Sequence, residues 1–267
     1  MAEPQHRPPN NTTGTAVFFS CALGGAWLLA LPAVLAQRGV LPGGVQRYMP
    51  LAVLGVFSPL IAAVVAAYRE GGRRALRDLV RQLWARRLPI YWYPIALGLF
   101  GAIYVAGVGA YRLLGGADAA RWLYLPTNAQ QLLAMLIVPI AEEPGWRGFA
   151  LPRLERRFGA LAGNIALGAA WAAWHAMMFL LAEMSPASFG LALLNIFVGS
   201  WVFTWLYHRT RGSLLIAILA HAGAHLNNPG HATGNDAPMI IYTTAMAIVA
   251  CTLLALDRRW RESRGNA

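Results

Sequence analysis

Lysine is absent from this 267-residue chain, and charge of any kind is scarce. Charged residues make up 12% of it and hydrophobic residues 57%, whereas soluble globular domains carry about 25% charged residues. The shortage excludes an ordinary soluble domain and points to the bilayer. All 22 cationic side chains are arginine, for a formal net charge of +11. They gather in short loops between apolar runs, the pattern of membrane topology and not of a nucleic-acid-binding face, so no nucleic-acid partner is expected. Cysteine is almost missing too. Cys21 and Cys251 lie inside apolar runs, and the expectation is two buried free thiols with no disulfide framework. The start, Met1 to Asn11, is polar and proline-bearing. It lacks a basic stretch, a short apolar core and a small-residue cleavage site, so no cleaved signal peptide is expected. There is no internal repeat and no sign of a second domain, which suggests one membrane domain over 1–267.

What the chain has in quantity is long apolar runs. Eight can be drawn, at 14–37, 49–68, 90–113, 127–143, 160–181, 187–207, 212–226 and 237–256. A spanning helix needs roughly 20 mostly apolar residues, and the seventh run is short. The fold expected is therefore all-α, a polytopic bundle of about eight transmembrane helices. Arginine placement tests that count. With the N-terminus in the cytoplasm, 18 of the 22 arginines fall on the cytoplasmic side, and only Arg38, Arg47, Arg112 and Arg121 fall on the other. This is the bias of the positive-inside rule, and it puts both termini in the cytoplasm.

The connection 69–89 has a pattern of its own. Leu76, Leu79, Val80, Leu83 and Trp84 recur at helical spacing, with Arg73, Arg74, Arg77, Arg81 and Arg86 between them. This reads as an amphipathic helix lying on the anionic cytoplasmic leaflet as a surface anchor.

Polar residues inside the runs are few. Of eleven acidic residues, nine lie in loops, tails or span ends, while Glu142 and Glu143 close the run Leu132–Ala141. Ionisable groups in a membrane interior are expensive and mark function by default. Two close carboxylates also tend to hold one proton between them, as a general acid or base requires. His175 lies in the fifth run, and His221 and His225 share one face of the seventh, being four residues apart. Arg147 reaches Glu143 if the helix continues past Pro144. Each residue alone has a plain structural reading, as an interhelical hydrogen bond or an ion pair. Together they form a cluster on three spans of the second half, while the first three runs hold no acid or histidine. One gap stands in the way. Glu142 ends its span and His175 lies about a dozen residues into the next, some 18 Å of depth at about 1.5 Å per residue. They meet only if 144–158 enters the protein or the first helix runs deeper.

The pattern Glu142-Glu143-Pro-Gly-Trp-Arg147 resembles the E-E-x-x-x-R motif of the CPBP family, the CAAX-protease and bacteriocin-processing (Abi) membrane peptidases. Trp171-x-x-x-His175 resembles that family's F-x-x-x-H motif with tryptophan for phenylalanine. Thr210-Arg-Gly-Ser-Leu and the approach to His221 resemble its last motif, H-x-x-x-N, with His225 in place of asparagine. The resemblance covers 130–226, the expected catalytic core. It implies an intramembrane endopeptidase acting on membrane-delivered peptides or protein tails. In it Glu142 activates water with His175, His221 and His225 stabilise the oxyanion, and Glu143 with Arg147 holds the local helix and tunes Glu142. It also implies a multi-pass protein of the bacterial inner membrane. Two other functions remain open: a non-catalytic bacteriocin-immunity or scaffold protein, and an ion-coupled transporter. Metal dependence is open as well, since Glu142, His175 and His221 offer a zinc-type ligand set although the H-E-x-x-H pattern is absent. The expectation is no cofactor or one divalent metal.

Overall fold

A computed structural model describes residues 12–84, 87–116, 121–182, 184–228 and 236–257, and among them the secondary structure is helical with no strand. The helices are α1 (Thr12–Gln37), α2 (Gly44–Gly55), α3 (Ser58–Arg81), α4 (Trp92–Leu113), α5 (Ala129–Glu143), α6 (Leu151–Leu181), α7 (Pro186–Arg209), α8 (Leu214–Leu226) and α9 (Ala237–Leu256). A π-helical turn, Pro144–Ala150, joins α5 to α6 without a loop. The protein is a polytopic helical bundle. Seven of the eight expected apolar runs fall mainly in one helix each, and the second, 49–68, is divided between α2 and α3.

Six helical stretches are long and apolar enough to cross a membrane, and α8 is a shorter apolar helix. The count differs from eight because one 53-residue stretch, Ala129–Leu181, contains both the fourth and the fifth expected runs. The sequence suggested a loop between them, and the structure puts the π-turn there. That stretch is still broken in direction. Gly159 (φ 79) interrupts α6, and this left-handed conformation is open to glycine at little cost. In the same way Gly71 and Gly72 break α3, separating the membrane-length part from the arginine-rich part.

Ala62, Ala63, Ala66 and Ala67 make the buried face of α3. Small residues of this kind let helices approach closely where lipid removes any hydrophobic drive to associate. Aromatic residues fill the centre. Phe18 of α1 stacks on Phe149 at 5.3 Å and meets the edge of Trp146 at 5.5 Å, so α1 covers the π-turn. Ser58 donates to the Ala22 carbonyl at 2.7 Å and accepts from Trp174 Nε1 at 3.0 Å, tying α1, α3 and α6 together.

Apolar side chains also cover the outside: Leu28, Leu136 and Ile248 are well over half exposed, as lipid contact permits. Cys21 and Cys251 are free thiols, as expected, but both are exposed and not buried. In lipid an apolar run does not tell the inner face of a helix from the outer. The amphipathic segment differs in part from the surface anchor expected. Leu79 is buried and Leu76 packs on the core, while Val80 and Trp84 point outward. Gln82 extends this docking. Its backbone oxygen accepts from Leu214 N at 3.1 Å, its side-chain oxygen accepts from Tyr207 Oη at 3.1 Å, and its amide donates to the Gly148 carbonyl at 3.4 Å.

Candidate active site

Pro144 has no backbone N–H to continue the α-helical ladder of α5, and the chain passes into the wider π register. All seven residues of the turn are buried. This closes the depth gap left by the sequence: the segment after Glu142 enters the protein and carries Arg147 with it. Gly145 sits against α3 so closely that a Cβ there would lie 2.5 Å from the Pro59 carbonyl oxygen.

Glu143 and Arg147 are both fully buried and pair at 2.9 Å between Arg147 Nη1 and Glu143 Oε1. The same Oε1 meets His221 Nδ1 at 2.8 Å. A carboxylate only accepts, so Nδ1 is the donor in this contact, and Nε2 is the ring atom left to face a substrate. The guanidinium of Arg147 lies over the rings of Trp171 at 4.1 Å and Phe203 at 4.7 Å. Its Nε and Nη2 have no hydrogen-bond partner, and the π faces take their place.

Glu142 is 1% exposed and has separate surroundings. Its Oε2 accepts from Trp171 Nε1 at 2.7 Å, and its Oε1 has no partner. His175 Nδ1 lies 2.9 Å from the Trp171 carbonyl. A carbonyl cannot donate, so that nitrogen carries the proton and Nε2 remains an acceptor. Trp171 also meets the edges of His175 at 5.3 Å and His221 at 5.7 Å. His225 stacks on His221 at 5.2 Å with the rings nearly parallel.

The turn Thr210-Arg-Gly-Ser aims α8 at this cluster. Arg211 (φ 56) and Gly212 (φ 76) reverse the chain, and Ser213 caps α8 by accepting from Ile216 N. The six expected residues, Glu142, Glu143, Arg147, His175, His221 and His225, thus lie around one aromatic hub. Trp171 and Gln82 were not singled out from sequence. Trp171 was visible only as a departure from a motif, and Gln82 gave no signal. Of the other histidines, His208 pairs with Glu155 at 2.7 Å, and His6 and His231 lie outside the described residues.

Among the described residues no three histidine, cysteine or acidic side chains are grouped so as to hold a metal ion. Glu142, His175 and His221 each give one polar atom to Trp171 or Glu143 and do not make up such a group. In this arrangement they do not form a metal site.

A multi-pass helical membrane protein with two buried acids and three histidines gathered beside them is the class that fold and site define. Residues 124–227 match a family described as type II CAAX prenyl endopeptidase Rce1-like. The chain is also 23% identical over 226 residues to a protein of Methanococcus maripaludis named CAAX prenyl protease 2, covering 79% of this chain and 83% of the relative. The resemblance read from the three motifs is borne out by both matches, which are to CAAX proteases.

Proposed function

We propose that the protein is an intramembrane endopeptidase that hydrolyses peptide bonds of membrane-delivered peptides or protein tails with water activated by Glu142. The observation that supports this most is the division of labour between two adjacent acids. Each acid keeps one oxygen without a partner, but Glu143 is tied to the Arg147 cation and to His221. The hydrogen bond of Glu142 comes from the neutral indole of Trp171, which leaves Glu142 with a free oxygen on a carboxyl not paired to a cation. A base needs such an oxygen.

In the proposed reaction Glu142 Oε1 takes a proton from water, with His175 Nε2 orienting that water. The water oxygen bonds to the peptide carbonyl carbon. The oxyanion that forms is held by His225 and by Nε2–H of His221, which must be the imidazolium in this step because its Nδ1–H is given to Glu143. The C–N bond then breaks, and the proton passes from Glu142 to the leaving nitrogen, giving a new carboxylate and a new amine. The substrate class follows the relative's name: a protein tail carrying a lipid group near its C-terminus, brought to the site along the membrane.

The test is Glu142→Gln, which keeps shape but takes no proton at neutral pH. Proteolysis by the purified protein should fall by about 10²-fold or more, the size of a general-base contribution, with insertion and folding unchanged. Activity retained in the Gln variant would rule the base assignment out. A non-catalytic scaffold is the second reading, favoured by the histidine at 225 where the family motif has asparagine. It requires that wild type cleave no peptide.

A further inference from the structure

We propose that Trp171 is a positioning residue that orients the Glu142 carboxyl, so that Oε1 and not Oε2 is the oxygen presented to the water. This rests on the reading of Glu142 as the base. The indole N–H donates to Oε2 at 2.7 Å, and the other oxygen has no partner. Both residues are almost fully buried, so no solvent competes for that contact.

The same ring does a second job. Its face carries the guanidinium of Arg147 at 4.1 Å, while that cation spends its hydrogen bond on Glu143. The indole therefore meets the cation with its face and Glu142 with its N–H edge, and gives Glu142 a neutral donor. The backbone of Trp171 also takes Nδ1 of His175, so one residue fixes both groups assigned to the water. Phenylalanine, which the family motif carries at this place, keeps a ring face for Arg147 and lacks the donor. The departure at 171 thus adds one hydrogen bond to the base and keeps a ring face for Arg147.

Two substitutions separate these roles. Trp171→Phe removes the donor and keeps the ring, and it folds because an aromatic ring remains over Arg147. Trp171→Leu removes both. In Trp171→Phe, kcat on a cleaved peptide should drop about 10-fold, the low end for a lost hydrogen bond to a charged group. KM should stay unchanged, because orientation of the base matters in the transition state. Infrared difference spectra of protein labelled with 13C at the glutamate carboxyls give a readout that needs no turnover. The Phe substitution should shift one carboxyl band, and that shift should vanish when Glu142→Gln is the background. Trp171→Leu should lose kcat further and also unfold at lower temperature. A wild-type kcat in Trp171→Phe, a rise in KM alone, or an unshifted band would each overturn the proposal. If wild type cleaves nothing, the peptidase reading fails by itself, and the infrared arm still decides whether Trp171 holds the Glu142 carboxyl.

Discussion

Glu142 and Glu143 are adjacent in sequence and meet different surroundings, and stability and catalysis divide between them accordingly. Arg147 is buried with a single hydrogen bond, to Glu143. Removing one partner of such a pair strands the other charge, at a cost of about 3–5 kcal/mol. Glu143→Gln should therefore lower the thermal midpoint in detergent sharply, and Glu143→Gln with Arg147→Met should recover much of the loss. A single variant as stable as wild type would show that Arg147 finds another partner. His225 separates the functional readings. If it donates to an oxyanion, an amide replaces it well, so His225→Asn should keep or raise activity and His225→Ala should lose about 10²-fold. Bound zinc measured on the same purified proteins supplies the other arm, because asparagine is a poor zinc ligand. Activity and zinc lost together in both variants would speak for a metal.

The π-turn is the element that builds the site, and its register is not legible in the local sequence. Pro144-Gly145 after an apolar run has the composition of a turn or helix end, so the sequence leaves open whether 144–158 enters the bundle. What keeps it inside is tertiary: Phe18 stacking on Phe149, and Gly145 fitting under α3. The runs themselves were legible because about 20 consecutive apolar residues are a strong local signal. The Glu142, His175 and His221 motifs were legible because charge is rare in such runs. Facing was not legible, as Cys21 and Cys251 show, because lipid and protein interior select the same residue types. Gln82 was invisible for a related reason: its value lies in contacts with Gly148, Tyr207 and Leu214, all distant in sequence. Gly145→Ala should push the turn from α3, at the 1–3 kcal/mol typical of overpacking. Thermal midpoint and activity should fall together. Unchanged activity in Gly145→Ala would show that the close approach does not set the site's geometry.

At the scale of the whole molecule, contacts between connections sort them into two groups. Glu70 pairs with Arg153, Gln82 bonds to Gly148 and Leu214, His208 to Glu155 and Arg209 to Asp257. These are the ends and loops that carry most of the arginines. A second group has few: Tyr104 donates to the Arg121 carbonyl, Tyr124 N to Asn227, and Ser188 to Asp236. The bundle therefore has an arginine-rich end and an arginine-poor end, grouped by contact as the charge count grouped them by alternation. By the positive-inside rule the first group is expected to face the cytoplasm, and Arg258, Arg259, Arg261 and Arg264 follow Asp257 in sequence. An alkaline phosphatase fused after Ala267 should be inactive, and a fluorescent reporter that folds only in the cytoplasm should light up there. A phosphatase inserted after Gly116, in the arginine-poor group, should be active. The opposite pair of results would invert the molecule in the membrane, and with it the side from which a protein tail reaches Glu142.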